Sequence, residues 1–401
     1  MGARPTLGKE AQRLPRFRAL LHAEDLNVHA YEVDILEGRG RTAPSILSSV
    51  VSRTSKDTYT PAWWVPGAHL QTLWGKLARR PPRVETRAER WTTPDADVLE
   101  IRRLDAPRGA PADTPRLLIL HGLEGTIRSH YILGLLDQAR RRGWATDVLI
   151  FRGCNGELPR APRFYHSGET TDLDFVVHRL VRDHPGQPLV LAGVSLGGNV
   201  LLKWLGEHGD SVPAQVRAAA AVSVPFDLER GSRQIERGFS RIYTLHFLRT
   251  LRRKALAKLA EEPGLFAEGP LHAARTLSDF DDAVTAPVHG FDSATDYYSR
   301  SSSRHFLAGI RRRTLLLSAY DDPFLPREVL DTVALVASLN PQLEVEFHPH
   351  GGHVGFVSGR VPWRAQYYAE RRVVGYLAAC LDAVRHAELF HGTLINTSRA
   401  G

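Results

Sequence analysis

The chain has 401 residues, of which 43% are hydrophobic, and it carries a formal net charge of +8. This length and apolar content are enough for a large buried core, which excludes a disordered or fibrous protein. A positive net charge, taken alone, would suggest a nucleic-acid-binding protein. However, the arginines are scattered and no nucleic-acid-binding motif accompanies them, so we expect no nucleic-acid partner.

Cys154 and Cys380 are the two cysteines, and they form no disulfide pattern. This usage favours a reducing compartment, so we predict a cytoplasmic protein. No stretch approaches the roughly 18 consecutive apolar residues of a membrane-spanning helix, and no secretory signal is present. Because metal-ligating residue types do not recur at ligand spacing, we expect neither a metal nor a cofactor.

Residues 1–57 mix charged, glycine and serine residues with short apolar pieces, which predicts a flexible or loosely attached extension. The main domain is predicted over residues 58–387. It begins with an aromatic-rich segment, 61–74, which ordinary packing explains. Residues 98–104 alternate like a half-buried strand, and residues 105–115 read as turns.

A short apolar strand is predicted at 117–120, followed by His121-Gly122-Leu123-Glu124-Gly125. This loop resembles the His-Gly loop that follows the third strand of hydrolases and helps to bind an oxyanion. The backbone N–H of Leu123 is therefore a candidate oxyanion donor. A plain glycine turn is the alternative interpretation.

A helix at 131–142, a strand at 146–151 and a helix at 172–183 come next. The loop between the last two, residues 152–170, is long for a compact domain, and such loops are more often functional than not. His166 and Cys154 lie in this loop. A histidine beside a Ser-Gly turn is more often a structural hydrogen-bonding group, so we assign neither residue a role.

The apolar run that starts at Leu189 ends in Gly193-Val194-Ser195-Leu196-Gly197. Strand, Gly-x-Ser-x-Gly and helix together predict a nucleophile elbow, which holds a serine in a strained, exposed turn. Ser195 is the candidate nucleophile. The backbone N–H of Leu196, the residue after it, is the second candidate oxyanion donor.

A serine hydroxyl needs a base, and the base needs a carboxylate to hold its tautomer and orientation. Predicted strands at 314–318 and 344–348 each run into a loop that carries one of these groups. Asp321-Asp322 follows the first strand and His353 follows the second. We choose Asp322 as the triad acid because it stands four residues before Pro326, as in the hydrolases that this loop resembles. Asp321 is expected to cap the loop or face solvent.

Residues 226–300, which follow a predicted sixth strand at 218–224, interrupt the strand–helix alternation and predict a helical cap over the site. Basic residues recur along it at helical spacing: Arg230, Arg233, Arg237 and Arg241. Ile235, Phe239 and Ile242 are expected on the opposite side. A solvated helix face with its apolar side on the core is the simple interpretation, and an interfacial lid is the alternative. Phe239, Ile242, Phe247 and Leu248 would then cover an acyl chain.

Helices at 329–338 and 363–382 and a polar tail at 388–401 complete the chain. Several of its motifs, His69-Leu-Gln-Thr72, His121-Gly-Leu-Glu-Gly125 and Tyr165-His-Ser-Gly-Glu-Thr170, together resemble the YheT-like branch of the α/β-hydrolase superfamily. Residues 151–156 and 193–199 extend the resemblance. It implies a mostly parallel sheet flanked by helices, and a serine triad that acts on carboxylic esters, lipid esters among them. Animal members carry an N-terminal membrane anchor, which residues 1–57 do not resemble.

The sequence thus predicts a serine carboxylesterase in which Ser195 is the nucleophile, His353 the base and Asp322 the orienting acid. A thioesterase or an acyltransferase would use the same triad, and a ligand-binding protein on a hydrolase fold is the alternative from another class. Expected partners are a small-molecule or lipid ester and a membrane surface that the basic cap contacts peripherally. The oligomeric state is left open.

Overall fold

The computed structural model describes residues 58–397, with side chains through residue 386. The predicted N-terminal extension, residues 1–57, lies outside this range, as do residues 398–401 of the predicted tail. Among the described helices, none has both the length and the apolar content needed to cross a membrane.

One sheet of eight strands forms the centre of the molecule. The strands are β1 (Arg87–Thr92), β2 (Val98–Leu104), β3 (Arg116–Leu120), β4 (Ala145–Ile150), β5 (Leu189–Val194), β6 (Val216–Val222), β7 (Arg313–Ala319) and β8 (Leu343–His348). Their order is β1-β2-β4-β3-β5-β6-β7-β8, and of these eight strands β2 alone runs in the direction opposite to the others. This confirms the predicted mostly parallel sheet.

The degree of burial explains why most strands can be predicted from the sequence and β1 cannot. Every residue of β3, β4 and β5 is buried, as expected for parallel strands covered on both faces, and their sequences are nearly continuous apolar runs. Strand β1 lies at the sheet edge and buries only Trp91. Its charged sequence gives no apolar run, so the sequence analysis missed it.

Helices cover both faces of the sheet. They are α1 (Ala68–Leu77), α2 (His130–Arg141), α3 (Thr171–Asp183), α4 (Leu196–His208), α11 (Arg327–Ser338) and α12 (Tyr368–Thr397). The last helix begins later than the predicted 363–382 and runs on to Thr397, into the segment predicted as a polar tail. A short hairpin of β9 (Val357–Ser358) and β10 (Gln366–Tyr367) precedes it.

Between β6 and β7 the chain forms a group of helices, which we call the cap. They are α5 (Leu228–Ile235), α6 (Arg241–Glu261), α7 (Glu268–Ala273), α8 (Leu277–Phe280), α9 (Ala286–His289) and α10 (Ala294–Ser301), with a π-helical turn at Asp281–Thr285. Helices α6 to α9 share an apolar cluster that includes Leu248, Phe266 and Phe280. The cap thus has a small core of its own.

The predicted apolar side of the cap helix is wrong in part. One continuous helix was assumed, but α5 ends at Ile235 and α6 begins at Arg241, after a 3₁₀ turn at Gly238–Ser240. The break rotates the second half relative to the first. Ile235 is 4% exposed as expected, whereas Phe239 and Ile242 are 51% and 54% exposed.

Two of the four residues expected to cover an acyl chain therefore face solvent. Phe247 lines the cavity above the candidate site, and Leu248 packs in the core of the cap. Helical spacing predicts the relative directions of side chains only within one helix, which is why the assignment failed beyond Gly238.

Candidate active site

Ser195 stands in the turn between β5 and α4 with φ 54° and ψ −123°. The residues two positions before and after it, Gly193 and Gly197, are glycines because backbone atoms come too close for any side chain. A Cβ on Gly193 would lie 2.5 Å from the carbonyl oxygen of Gly197, and one on Gly197 would lie 2.5 Å from the carbonyl oxygen of His121. The turn thus has the strained geometry of a nucleophile elbow, with the hydroxyl at the carboxyl edge of the sheet.

Two loops from distant parts of the chain bring the other predicted residues to Ser195. Nε2 of His353, in the loop after β8, lies 3.0 Å from the Ser195 hydroxyl oxygen. Nδ1 of the same ring lies 2.9 Å from Oδ2 of Asp322, in the loop after β7. The three side chains form one hydrogen-bonded row, with Asp322 and His353 almost entirely buried.

The two adjacent aspartates have different contacts. Asp322 accepts a hydrogen bond from the backbone N–H of Phe324 as well as from His353. Asp321 accepts from the backbone N–H of Gly352 at 2.8 Å and lies 3.3 Å from the ring of His350. Asp322 is therefore the acid that touches His353, while Asp321 holds the same loop from its other side.

The His69-Leu-Gln-Thr72 motif, on α1, contacts the loop that carries His353. Thr72 accepts a hydrogen bond from the backbone N–H of His353 at 2.9 Å, and Gln71 accepts one from Val357 at 2.7 Å. Phe324 stacks on the His353 ring at 4.1 Å between centroids. These contacts restrain the ring, a role that the motif alone does not indicate.

The two candidate oxyanion donors lie on rigid turns beside Ser195. Leu196 is the first residue of α4, and Leu123 stands between two residues whose amides are already bonded. Gly122 donates its N–H to the hydroxyl of Tyr131 at 3.0 Å, and Glu124 donates to the hydroxyl of Tyr165 at 2.8 Å. Both Leu123 and Leu196 line the cavity at the site.

His121, which opens the same loop, has a structural role. Its Nδ1 lies 2.8 Å from the carbonyl oxygen of Gly122, and its Nε2 accepts from the backbone N–H of Phe151 at 3.1 Å. Burial lowers the pKa of His121 to about 4, so the ring is neutral near pH 7. A neutral ring can serve both bonds at once and connects the oxyanion loop to the end of β4.

A charged pair that no sequence pattern predicts lies behind the loop of residues 121–125. The Glu124 carboxylate accepts from the Tyr165 hydroxyl at 2.9 Å and from Nζ of Lys254, on cap helix α6, at 2.7 Å. Both charged side chains are largely buried. No local pattern could have indicated this contact, because the two residues are 130 positions apart.

The site opens into a cavity between the sheet edge and the cap. Its walls are mainly apolar and include Leu196, Ile235, Phe247, Leu251, Val284 and Phe324. A polar group, Asp281 in the π-helical turn, also lines it, bonded to the hydroxyls of Thr285 and Tyr298. Burial raises the pKa of Asp281 to about 6. Such a cavity suits an extended apolar group attached to the reacting carbonyl.

His166 and Cys154, in the long loop of residues 152–170, are the two residues to which no role was assigned from the sequence. His166 accepts from the backbone N–H of Gly168, and burial holds its pKa well below the usual range. Burial raises the pKa of Cys154 to about 11, so its thiol is protonated and unreactive near neutral pH. Among the side chains that the structure describes, those of residues 58–386, no three His, Cys, Asp or Glu gather in a way that could hold a metal.

A buried ion cluster explains the arginine at the start of this loop. Arg152 pairs with Asp97 at 2.5 Å and with Asp172 at 2.6 Å, which joins the loop to the turn before β2 and to α3. Opposite charges raise the pKa of Arg152 further, despite its desolvation. The loop is therefore fixed at its base.

Exposed apolar side chains lie on α1, which contacts the loop of His353, and on the start of α6 with the 3₁₀ turn before it, a helix whose Phe247 lines the cavity. We call this surface the rim face: Leu70, Phe239, Ile242 and Leu245, with the cations Lys76, Arg241 and Arg249. The four apolar residues are between 51% and 65% exposed. The two helices are neighbours, because Nδ1 of His69 lies 3.3 Å from the hydroxyl oxygen of Tyr243, on α6.

Comparisons with known proteins agree with this architecture. A family model described as the α/β hydrolase fold matches residues 115–359. The YheT esterase of Escherichia coli (strain K12) is 38% identical over 332 residues, which cover 82% of this chain and 96% of that protein. Phospholipase ABHD3 of Mus musculus is 30% identical over 319 residues, 78% of this chain and 76% of its own. Monoacylglycerol lipase of Saccharomyces cerevisiae (strain ATCC 204508 / S288c) is 31% identical over 266 residues, 64% and 57% of the two chains.

Proposed function

The chain belongs to the YheT-like branch of the α/β-hydrolase family and is a carboxylic ester hydrolase, and we propose that Ser195, His353 and Asp322 are its catalytic triad. The observation that carries the proposal is the continuous row of contacts, 3.0 Å from Ser195 to His353 and 2.9 Å from His353 to Asp322. Each member comes from a different loop at the carboxyl edge of the sheet, where such folds build their sites.

In the proposed reaction, Oγ of Ser195 attacks the ester carbonyl carbon while Nε2 of His353 takes the hydroxyl proton. The carbonyl oxygen becomes an oxyanion, which accepts hydrogen bonds from the backbone N–H groups of Leu123 and Leu196. The bond to the alcohol oxygen then breaks, and His353 passes its proton to that oxygen. The acyl group stays on Ser195.

Water completes the cycle. His353 takes a proton from a water molecule whose oxygen attacks the acyl carbon, and the same proton returns to Oγ of Ser195 as the acid leaves. Asp322 holds the proton of Nδ1 throughout, so that Nε2 faces Ser195 unprotonated at the start of each half-reaction. A thiol ester, or an alcohol in place of the water, would use the same steps.

Replacement of Ser195 with alanine tests the nucleophile. We expect turnover of p-nitrophenyl esters and labelling by a fluorophosphonate probe to disappear, while circular dichroism and the melting temperature stay near wild type. Ser211→Ala, at an exposed serine that donates only to a helix-end carbonyl, is the matched control. Turnover that survives Ser195→Ala refutes the triad. A wild-type protein that neither reacts with the probe nor turns over esters would instead be a ligand-binding protein.

The substrate is proposed to be an ester of an apolar acid, small or lipid. Relatives named esterase, phospholipase and monoacylglycerol lipase are consistent with a small or a lipid ester as substrate. The apolar cavity beside Ser195 is consistent with binding of the acyl chain beneath the cap. Rates across acyl lengths from acetyl to palmitoyl measure the preference. Val284→Trp, in the cavity wall, should lower the rates for long chains and spare acetyl esters. An equal effect on all chain lengths would contradict acyl binding in this cavity.

The rim face is proposed to contact an anionic membrane surface. It joins exposed apolar side chains to cations on two helices that contact the candidate site, and acidic headgroups complement those cations. We expect binding to vesicles that contain phosphatidylserine, weakened by salt and abolished by Ile242→Asp with Leu245→Asp. The matched control is Leu335→Asp with Leu339→Asp, at two leucines of α11 and its end that are 64% and 74% exposed. Equal loss in both pairs, or no binding by the wild type, would contradict this surface.

A cytoplasmic location is proposed from cysteine usage, because both thiols are unpaired and buried. Cell fractionation with an antibody against the chain measures it, and recovery from an oxidising compartment would contradict it.

A further inference from the structure

We propose that Lys254 is a positioning residue: through Glu124, it holds the oxyanion loop in the geometry that catalysis needs, so that cap position and catalysis are coupled. The inference rests on the proposed oxyanion role of Leu123. It concerns an ion pair between two structural units, the cap and the loop after β3, that the reaction itself does not use.

The backbone next to Leu123 is strained. Glu124 has φ 54°, a conformation that residues other than glycine rarely adopt without support. Leu123 and Glu124 share the peptide unit that contains the Leu123 carbonyl and the Glu124 N–H, so relaxation at Glu124 turns this unit. The N–H of Leu123 lies one peptide unit earlier, and it moves through the backbone torsions of Leu123. The direction of this proposed donor therefore depends on what restrains Glu124.

Three hydrogen bonds supply that restraint. The backbone N–H of Glu124 donates to the Tyr165 hydroxyl at 2.8 Å, and this hydroxyl donates back to the Glu124 carboxylate at 2.9 Å. Both come from the main domain. The third comes from the cap, where Nζ of Lys254 donates to the same carboxylate oxygen at 2.7 Å.

Burial makes the third bond important. The side chain of Glu124 is 8% exposed and that of Lys254 is 19% exposed, so water screens neither charge well. A buried carboxylate that loses its cation is costly, because its charge is then neither hydrated nor paired. Without Lys254 we expect the loop to shift so that the carboxylate reaches water, which the strained backbone at Glu124 makes easier.

Lys254 itself is well anchored. One turn later on α6, Nζ of Lys258 donates to the carbonyl oxygen of Pro159 at 2.8 Å, and one turn earlier Leu251 packs on the cap core. The position of the Lys254 ammonium group is therefore set by the position of helix α6. Displacement of α6 would remove the cation from Glu124 and misplace the proposed oxyanion donor together.

The test compares Lys254→Met and Lys254→Arg with wild type, using p-nitrophenyl acetate without vesicles. This small ester needs neither the acyl cavity nor a membrane. We expect Lys254→Met to lower kcat roughly 10- to 100-fold, less than complete loss of an oxyanion donor, with KM changed less than about threefold. Lys254→Arg keeps the charge and should recover most of kcat. Lys203→Met, which removes a cation and its ion pair with Glu207 on α4, is the matched control and should stay near wild type.

Glu124→Gln is the second variant, and it keeps the size of the side chain and an oxygen for Tyr165. Alone it should lower kcat by a similar factor, and together with Lys254→Met it should cost little more, because both remove one interaction. Near-wild-type kcat in Lys254→Met, a loss confined to KM, or additive losses in the double variant would overturn the inference. Survival of turnover in Ser195→Ala is a separate result, and it refutes the triad. The kcat ratios of the Lys254 and Glu124 variants to wild type can still be measured in that case, because the enzyme remains active.

Discussion

Replacement of Asp322 with asparagine probes the polar end of the triad. The side chain keeps its shape, and its oxygen can still accept from the backbone N–H of Phe324. However, an amide NH₂ group facing Nδ1 of His353 would favour the tautomer that carries its proton on Nε2. That ring can no longer accept the proton of Ser195, so the nucleophile is not activated.

The size of the effect follows from the geometry. In the proposed reaction His353 becomes a cation whose Nδ1 lies 2.9 Å from Asp322, with both groups largely buried. At an effective dielectric constant of about 20, unit charges between that distance and about 4 Å apart attract by roughly 4 to 6 kcal/mol. Since about 1.4 kcal/mol corresponds to a factor of ten in rate, kcat should fall by roughly 10³ to 10⁴.

The assay is hydrolysis of p-nitrophenyl butyrate, with kcat measured for both aspartate variants. Asp321→Asn is the matched control, because its oxygen can still accept from the N–H of Gly352 and it does not touch His353. We expect it to retain activity within about fivefold of wild type, as for loss of one charge-assisted hydrogen bond in a loop. A larger loss in Asp321→Asn than in Asp322→Asn would refute the assignment of the acid.

Three further predictions concern the supports of the site. Thr72→Val leaves the N–H of His353 without its acceptor. It should lower the free energy of unfolding, measured by urea titration, by about 1 to 3 kcal/mol, and it should also lower kcat. Thr72→Ser keeps the hydroxyl acceptor and should restore both quantities. Gly197→Ala places a methyl group 2.5 Å from the carbonyl of His121 and should abolish ester turnover, while Gly375→Ala, with nothing within 4 Å, should leave turnover unchanged and preserve or raise stability. Burial raises the pKa of Asp281 from its ordinary value of 3.8 to about 6, so its contribution to stability is most favourable at low pH and declines as pH rises through 6. Asp281→Asn should therefore gain stability relative to wild type between pH 4 and pH 8, and a constant difference would contradict this.

Much of the sheet and the elbow could be predicted, because buried parallel strands are short apolar runs and the elbow glycines follow from steric limits at Ser195. The edge strand Arg87–Thr92 could not, since it buries one side chain. Phe239 and Ile242 were misplaced because a break of a few residues at Gly238 changes the direction of everything after it. The pair of Glu124 and Lys254 has no local signature at all, as its partners meet only in the folded chain.

The hydrogen bond between Thr72 of α1 and the loop that carries His353 has a consequence for the time at which activity arises during synthesis. Thr72 is made 281 residues before His353, which it must contact. At about 5 to 20 residues per second, a ribosome takes on the order of 15 to 60 seconds to cover that distance. Ser195 and its elbow are also made well before the base arrives. We therefore expect the growing chain to carry its proposed nucleophile in an inert form, with esterase activity beginning only when the loop of His353 has reached α1.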